Sequence, residues 1–302
     1  MTSLLAYITW DVAPEIVKIG PLTLRWYGLL FMSGFVLGTF VLSHIYRSER
    51  VSPQWVDVIT IYMLVGTIVG ARLGHCLFYD PGYYLAHPLD ILKIWEGGLA
   101  SHGATLGILL AVWLFSRNNK FDYLWTLDRI VIVVALGGAL IRLGNLFNSE
   151  IFGHETTVPW AFKFVRDTEH LVNGVAVPRH PTQIYESLFC VFLLVLLYLM
   201  WNRTKEKTPR GQLFGLFVVL LFTFRFLVEF LKEDQSDFES GMVLNMGQIL
   251  SIPLIFMGLW VLLRAGKWPN NPFGFAPEIW KQELPPSKPK KWSNQSNPFL
   301  HP

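Results

Sequence analysis

Cysteine and charged residues are both scarce in this chain. Two of its 302 residues are cysteines and 16% are charged, and Cys76 and Cys190 both lie in apolar stretches. A disulfide framework and a cysteine-based metal site are therefore excluded, and packing roles are favoured for the two thiols. The sequence also lacks a Gly-x-Ser-x-Gly turn, an HExxH motif and a pair of aspartates within any apolar stretch. The chain therefore lacks the reactive groups of an intramembrane protease. We expect neither a metal nor a cofactor.

Long apolar runs dominate what is present. Hydrophobic residues make up 52% of the chain, and seven runs have the length of roughly 20 residues that crosses a bilayer. They occupy residues 26–46, 58–79, 98–115, 130–148, 183–201, 211–231 and 243–263. Residues 1–25 carry Asp11, Glu15 and two prolines, without a basic start and an apolar core, so we expect no cleaved signal peptide. The sequence predicts an all-α polytopic membrane protein with seven transmembrane helices.

The basic residues between these runs predict the orientation in the membrane. With the N-terminus outside, the inside loops hold Arg47, Arg50, Arg117, Lys120, Arg129, Arg203, Lys205, Lys207 and Arg210, followed by a basic tail. The outside segments are longer in total and hold Lys18, Arg25, Lys93, Lys163, Arg166, Arg179 and Lys232. Because cytoplasmic loops carry an excess of Lys and Arg, we expect the N-terminus outside and the C-terminus in the cytoplasm.

The chain divides into two parts. Residues 1–264 hold all seven runs and are predicted to form one transmembrane domain. The long outside loop 149–182 mixes Trp160 and Phe164 with charged residues, so we expect a small folded periplasmic cap there. Residues 265–302 are rich in Pro, Lys and Asn and predict a loosely ordered cytoplasmic tail.

Three arginines, Arg72, Arg142 and Arg225, lie within the apolar runs. The helical rise of about 1.5 Å per residue places each of them about 18–21 Å from the inner face. An ionised guanidinium in hydrocarbon costs at least about 2.5 kcal/mol, so each needs an anionic partner or water. Three arginines at one depth predict a pocket built for an anion.

Other polar side chains fall at the same depth. Arg142 and Asn145 share one helical face, and Arg225 and Glu229 form an i, i+4 pair. In runs that begin at the outer face, Tyr27 and His102 lie close to the start. The polar side chains of the spans are therefore predicted to lie at a similar depth, near the outer face of the membrane.

Each of these features also has a simpler explanation. Arg225 with Glu229 fits a buried pair that holds two helices in register, and Asn145 fits a contact between helices. His102 fits a histidine at a helix end, and Tyr27 fits an interfacial aromatic residue. A transporter or channel with an anion site is the competing class, but the inner halves of the runs are almost purely apolar and no internal repeat is visible. A cavity open on one side favours a lipid-modifying enzyme.

Seven strings along the chain carry a family resemblance. They are RWYGLLFMSGF at 25–35, GARLGHCLFYDP at 70–81, WEGGLASHGATLG at 95–107, IRLGNLFNSEIFG at 141–153, HPTQIYES at 180–187, FRFLVEFLKE at 224–233 and LNMGQILS at 244–251. In this order they resemble the bacterial prolipoprotein diacylglyceryl transferases over about residues 15–264. The resemblance implies seven spans in the bacterial cytoplasmic (inner) membrane, with the N-terminus outside.

The resemblance also implies a reaction and its partners. The family transfers the sn-1,2-diacylglyceryl group of phosphatidylglycerol to the lipobox cysteine thiol of prolipoproteins, which forms a thioether and releases glycerol phosphate. The implied partners are phosphatidylglycerol, lipobox peptides and the lipid bilayer, with no nucleic acid.

Candidate site residues follow from the matched motifs. Arg142 and Arg225 match two arginines that the family uses against the departing phosphate, and His102 matches the family histidine, a candidate general base for the thiol. The substrate-binding candidates are Arg142, Arg225, Tyr27, Asn145, Glu150, Gly153, Glu229 and Arg72. Arg72 either holds the architecture together or contacts the lipid. The chain departs from the common family pattern at Ala104, at Ser149 and at Leu221, and the last change removes a hydroxyl from the expected pocket.

Overall fold

The computed structural model describes residues 7–20, 22–94, 98, 100–233 and 243–268, and these are mostly helical. Helices α1 to α8 occupy Trp26–Ser48, Gln54–Phe78, Pro81–Ala86, Ser101–Asn119, Tyr123–Phe147, Thr182–Thr204, Gln212–Val228 and Met246–Leu263. Short 3-10 turns occupy Pro88–Leu92, Lys205–Lys207 and Glu229–Leu231. The predicted cytoplasmic tail lies outside the described residues from position 269 onward.

Six of the described helices are long and apolar enough to cross a membrane, namely α1, α2, α5, α6, α7 and α8. They coincide with six of the predicted runs, and α7 reaches Leu231 when its terminal 3-10 turn is included. The remaining run, 98–115, corresponds to α4. Polar residues at both ends of α4, from His102 to Asn119, lower its mean hydropathy. The architecture is that of a multi-pass membrane protein.

Glycines bring α2 and α4 unusually close together. Spaced four apart on each helix, the contact glycines are Gly66, Gly70 and Gly74 on α2 and Gly103 and Gly107 on α4. A Cβ at Gly107 would lie 2.0 Å from the Gly66 carbonyl oxygen, and a Cβ at Gly103 would lie 2.2 Å from the Gly70 oxygen. Small residues of this kind allow the backbones of membrane helices to touch. The contact fixes the first turn of α4, which carries His102.

Five short strands accompany the helices in the part of the chain that the structure describes, so the prediction of an all-α fold was incomplete. Strands β1 to β5 occupy Ile8–Trp10, Glu15–Ile19, Leu22–Arg25, Phe162–Phe164 and Pro178–Arg179. One sheet has the order β1-β4-β5 with β1 and β4 parallel, and β2 and β3 form an antiparallel hairpin that leads into α1. Strands of two to five residues are too short to give a clear alternation of apolar and polar positions.

The loop between α5 and α6 forms a small folded region together with the N-terminal strand. Its apolar cluster contains Leu146, Phe152, Phe162 and Phe164. Trp10 of β1 packs on this cluster and donates its indole Nε1–H to the Leu146 carbonyl oxygen at 3.0 Å. The folded region therefore extends beyond the predicted cap at 149–182.

A buried ion cluster closes the opposite end of the bundle, where α1, α5 and α6 meet. Arg129 is fully buried and donates to Glu49 through Nε at 3.2 Å and Nη2 at 2.9 Å. Trp201 donates to the same carboxylate at 2.6 Å. The prediction that Arg129 lies in a loop is wrong because α5 begins at Tyr123, before the predicted start of the run. Glu49 and Arg129 lie just outside the predicted runs 26–46 and 130–148.

Candidate active site

Arg142 lies in the last two turns of α5, at the end of the bundle that carries the strands. Its Nε is 3.1 Å from Oε2 of Glu186 on α6, and its Nη1 donates to Oδ1 of Asn145 at 3.3 Å. Glu186 is buried, whereas 20% of the Arg142 side chain is exposed. Among the described residues Nη2 of Arg142 has no hydrogen-bond partner, so this nitrogen is left for a ligand.

Arg225 lies in the last turn of α7 and pairs with the next turn of the chain. Its Nε is 3.6 Å from Oε1 of Glu229. Asn245, the N-cap of α8, donates to the other Glu229 oxygen at 3.3 Å. A Cβ at Gly247 would lie 2.7 Å from the Glu229 carboxyl group, so α8 approaches this carboxylate closely. Arg225 is 26% exposed and forms no hydrogen bond to another described side chain, which leaves its terminal nitrogens open.

Lys232 and Glu186 connect the two arginines, and neither was among the predicted site residues. Lys232 Nζ lies 3.1 Å from Oε1 of Glu186 and 3.1 Å from Oε1 of Glu229. Its side chain is 1% exposed. The sequence analysis assigns Lys232 to an outside loop. Its spacing of three residues from Glu229 is the signal that could have predicted an ion pair between the two. The contacts run from Arg142 through Glu186, Lys232 and Glu229 to Arg225, and we call these five residues the ion chain.

The ion chain carries more positive than negative charge. Three cations face two carboxylates, so its formal net charge is one positive when all five groups are ionised. Burial lowers the pKa of Lys232, and the two carboxylates oppose this shift. Glu150, which Asn145 connects to Arg142, adds a third carboxylate near this end of the ion chain. The open terminal nitrogens of Arg142 and Arg225 are the groups that favour an anionic ligand.

Glu150 lies beside the ion chain and contacts it through Asn145. The Asn145 amide donates to Glu150 Oε1 at 2.7 Å, and Asn148 donates to the same oxygen at 3.2 Å. Ser149 and Ile151, on either side, have φ values of 54° and 58°. Non-glycine residues rarely adopt this left-handed conformation, so the turn after α5 is tightly determined. It directs the Glu150 carboxylate back toward α5.

Gly153 occupies a position with no room for a side chain. A Cβ there would lie 2.2 Å from the Leu231 carbonyl oxygen and 2.8 Å from the His180 Cβ. Its N–H donates to the His180 carbonyl at 2.9 Å, and it forms an isolated β-bridge with Lys232. Gly153 therefore sets the position of the backbone that carries Lys232.

Tyr27, in the first turn of α1, packs against the helix that carries Arg142. A Cβ at Gly144 would lie 2.8 Å from a ring carbon of Tyr27. The phenol also interacts electrostatically with Glu150 and Arg142. The structure thus places Tyr27 beside one end of the ion chain.

His102 is the second residue of α4 and is exposed. It interacts electrostatically with Arg225. Within the part of the chain that the structure describes, its imidazole has no hydrogen-bond partner. The ring is therefore free to accept a proton from a bound group.

Arg72 contacts the backbone of the segment between α2 and α4. It is buried and donates through Nε to the Ile91 carbonyl at 2.9 Å and through Nη2 to the Asp90 carbonyl at 2.6 Å. Its guanidinium also lies 5.1 Å from the centre of the Tyr84 ring. This geometry favours the architectural alternative, in which Arg72 holds the segment between α2 and α4.

Leu221 lies one helical turn before Arg225 on α7. Its side chain is partly buried and packs against the main apolar core of the bundle. The departure from the family pattern at this position therefore changes the core, contrary to the expectation that it removes a hydroxyl from the pocket.

The chain matches one protein family over most of its length. The family model described as prolipoprotein diacylglyceryl transferase matches residues 14–264. The phosphatidylglycerol–prolipoprotein diacylglyceryl transferase of Porphyromonas gingivalis is 46% identical over 274 residues, which cover 87% of this chain and 96% of the relative. Enzymes of the same name from Tolumonas auensis and Chloroherpeton thalassium are 46% and 45% identical, covering 85% and 87% of this chain and 97% and 96% of their own length. The chain is therefore a transferase that belongs to the prolipoprotein diacylglyceryl transferase family.

Proposed function

We propose that this protein transfers the sn-1,2-diacylglyceryl group of phosphatidylglycerol to the lipobox cysteine of prolipoproteins, the first step of bacterial lipoprotein maturation. The two substrates are those in the names of its relatives. The supporting observation is the ion chain, which anchors Arg142 and Arg225 and leaves both guanidiniums partly open at one end of the bundle.

The reaction exchanges one bond for another at the glyceryl carbon. The cysteine sulfur forms a C–S bond to the carbon that carries the phosphate, and the C–O bond to the phosphate oxygen breaks. The electron pair of that bond leaves on glycerol phosphate, and the thiol proton passes to a base. The charge of the phosphate grows as the bond breaks, and the thiol must lose its proton.

Arg142 and Arg225 bind the departing phosphate. Guanidinium groups donate two parallel hydrogen bonds to phosphate oxygens, and they stabilise growing negative charge strongly where water is scarce. Glu186 and Glu229 hold the Nε sides of the two guanidiniums. The terminal nitrogens then face the phosphate without further reorganisation.

His102 accepts the proton of the thiol. A free cysteine has a pKa near 8.5, so near neutral pH most of it is protonated and unreactive. A neutral imidazole suits this task. The partial positive charge at the N-terminus of α4 also favours the thiolate beside His102.

The remaining candidates orient the substrate. Tyr27 and Asn145 contribute hydrogen bonds to the lipid headgroup, and Glu150 holds the Asn145 amide in place. Gly153 permits the close backbone contact that positions Lys232. Arg72 keeps the segment between α2 and α4 in position without touching the phosphate.

An apolar groove offers a path for an acyl chain. It has a volume of about 610 Å³ and runs along α2 and α4, where its lining includes Gly74, Leu106 and Leu110. Leu106 and Leu110 are exposed on the outside of the bundle. Gly103, the residue after His102 in the first turn of α4, also lines the groove. A groove open to the side supports a lipid substrate over a solute that crosses the membrane.

The proposed topology has seven spans, with α4 as the third. The N-terminus, the folded cap and the ion chain lie on the periplasmic side, and the C-terminus and residues 265–302 lie in the cytoplasm. The basic loops at 47–50 and 203–210 support this orientation. Residues 1–264 then form the catalytic transmembrane domain.

Cysteine labelling in intact cells tests the orientation. Val175 is exposed in the α5–α6 loop and Lys207 is exposed at the opposite end. A maleimide that cannot cross the membrane should label Val175→Cys and leave Lys207→Cys unlabelled until the cells are opened. The buried Cys76 and Cys190 provide an unlabelled background in the parent protein. The opposite labelling pattern would reverse the proposed topology.

Reconstitution with defined substrates tests the function. Purified protein incubated with phosphatidylglycerol and a lipobox peptide should add the mass of a diacylglyceryl group to the peptide cysteine and release an equal amount of glycerol phosphate. A peptide with serine in place of that cysteine is the control and should remain unmodified. A folded protein that gives no mass gain, or that moves an anionic solute across vesicles, contradicts the proposal.

A further inference from the structure

We infer that Lys232 is a positioning residue, whose ammonium group holds the guanidiniums of Arg142 and Arg225 at the separation that a phosphate requires. This inference rests on the proposed function. Lys232 itself is buried to 99%, since its side chain is 1% exposed, so it acts through its neighbours and not by touching the substrate.

The position of Lys232 is fixed from both its backbone and its side chain. Its N–H donates to the Glu229 carbonyl at 3.2 Å, and its backbone forms a β-bridge with Gly153. Its ammonium reaches Glu186 on α6 and Glu229 after α7 at equal distances of 3.1 Å. One cation therefore joins the two carboxylates that hold the two arginines, which lie on α5 and α7.

The two carboxylates need this cation. Glu186 Oε2 is buried and accepts no hydrogen bond from the described residues, although Arg142 Nε lies near it. Glu186 Oε1 accepts from Lys232. Without the ammonium group, a buried carboxylate would have to recruit another donor, because unpaired buried charge is strongly unfavourable.

The nearest alternative donors are the arginines themselves. Glu186 would draw in the open nitrogen of Arg142, and Glu229 would do the same to Arg225, which its Oε1 already contacts at 3.6 Å. Both guanidiniums would then turn from the phosphate toward the protein. A displacement of about 1 Å at a reacting centre can lower a rate by about 100-fold.

Binding of sn-glycerol 1-phosphate is the most direct measurement, because its dissociation constant does not depend on the active fraction or on catalysis. We expect Lys232→Met to raise this dissociation constant by about tenfold and to lower kcat by about 100-fold, both measured on the folded fraction of the protein. Lys232→Arg should recover most of both losses, because it keeps the charge and reaches both carboxylates. Lys93→Met is the matched control, since Lys93 pairs with Asp90 outside the ion chain.

A double variant separates positioning from simple loss of charge. Glu186→Gln combined with Lys232→Met removes the cation together with one of the two carboxylates that it pairs, while Glu229 stays charged. Phosphate binding should be tighter in the double variant than in Lys232→Met alone. Should Lys232→Met fail to insert, Lys232→Gln keeps a donor for one carboxylate and should show the same weakened binding.

The outcomes distinguish the inference from the proposed function. Wild-type binding and kcat in Lys232→Met or Lys232→Gln would overturn the inference, as would equal losses of binding in Lys232→Met and Lys232→Arg. A wild-type protein that transfers no lipid, but whose glycerol phosphate binding is weakened by Lys232→Met and recovered by Lys232→Arg, would refute the proposed function and leave the positioning role supported.

Discussion

Arg142→Ala is expected to lower the rate of lipid transfer by about 10³-fold, as loss of one preorganised donor to a developing charge does in other enzymes. The protein should still insert, because one ion pair and one hydrogen bond anchor Arg142 among the described residues and the side chain is partly exposed. Arg225→Ala should have a similar effect. Transfer of diacylglyceryl to a lipobox peptide, normalised to the amount of inserted protein, measures both.

The shape of the guanidinium matters as well as its charge. Arg142→Lys keeps the cation but supplies no planar fork, so the ammonium can donate at most one hydrogen bond to a phosphate once Glu186 and Asn145 are bound. We expect this variant to remain at least about 100-fold slower than the parent. Recovery of the parent rate in Arg142→Lys would mean that charge alone stabilises the leaving group.

Arg117→Ala is the matched control for these variants. Arg117 lies in the last turn of α4 and stacks 5.2 Å from the centre of the Trp113 ring, at the opposite end of the bundle. Its removal should leave transfer unchanged. Full activity after Arg142→Ala or Arg225→Ala would refute the phosphate role of that arginine.

The apolar runs alone predicted most of the membrane architecture. Six of the seven runs correspond to helices of membrane length, because such runs have few other stable conformations in a bilayer. The short strands gave no comparable signal. β1 pairs with β4, more than 150 residues away, and neither strand is long enough to show a period of two.

The position of each arginine along its helix could be predicted from the sequence, but the direction in which its side chain points could not. Arg72 and Arg142 lie at similar depths along their helices, yet Arg72 donates to the carbonyls of Asp90 and Ile91 while Arg142 pairs with Glu186. The rotation of each helix about its axis decides this difference. That rotation depends on packing, here on the glycine contact between α2 and α4, and hydropathy does not report it.

The buried ion pairs were not predicted from the sequence for a related reason. Lys232 directly follows the predicted run 211–231, and Arg129 directly precedes the predicted run 130–148. A charged residue at such a boundary is ordinarily assigned to a loop. Both are buried to at least 98% because a carboxylate from another helix meets them. A pairing between distant segments removes much of the cost of burying charge, and local composition cannot indicate it.

His102→Gln is expected to lower kcat by about 10²-fold to 10⁴-fold near pH 7, the range that a general base contributes. Glutamine keeps a polar side chain of similar reach but cannot take a proton. The exposed imidazole has no hydrogen-bond partner among the described residues, so the fold should tolerate the change. His44→Gln is the control, because His44 contacts Tyr198 near the opposite end of the bundle.

The pH dependence separates a general base from a positioning role. Without the imidazole, transfer depends on the fraction of peptide already present as thiolate, so the rate of His102→Gln should rise about tenfold per pH unit up to the thiol pKa near 8.5. The gap between variant and parent should therefore narrow from pH 6 to pH 9. A positioning role would keep that gap constant, because binding geometry does not follow ionisation of the thiol. A near-normal rate of the variant throughout this range would mean that the field of Arg225 and of the α4 N-terminus suffices to ionise the cysteine.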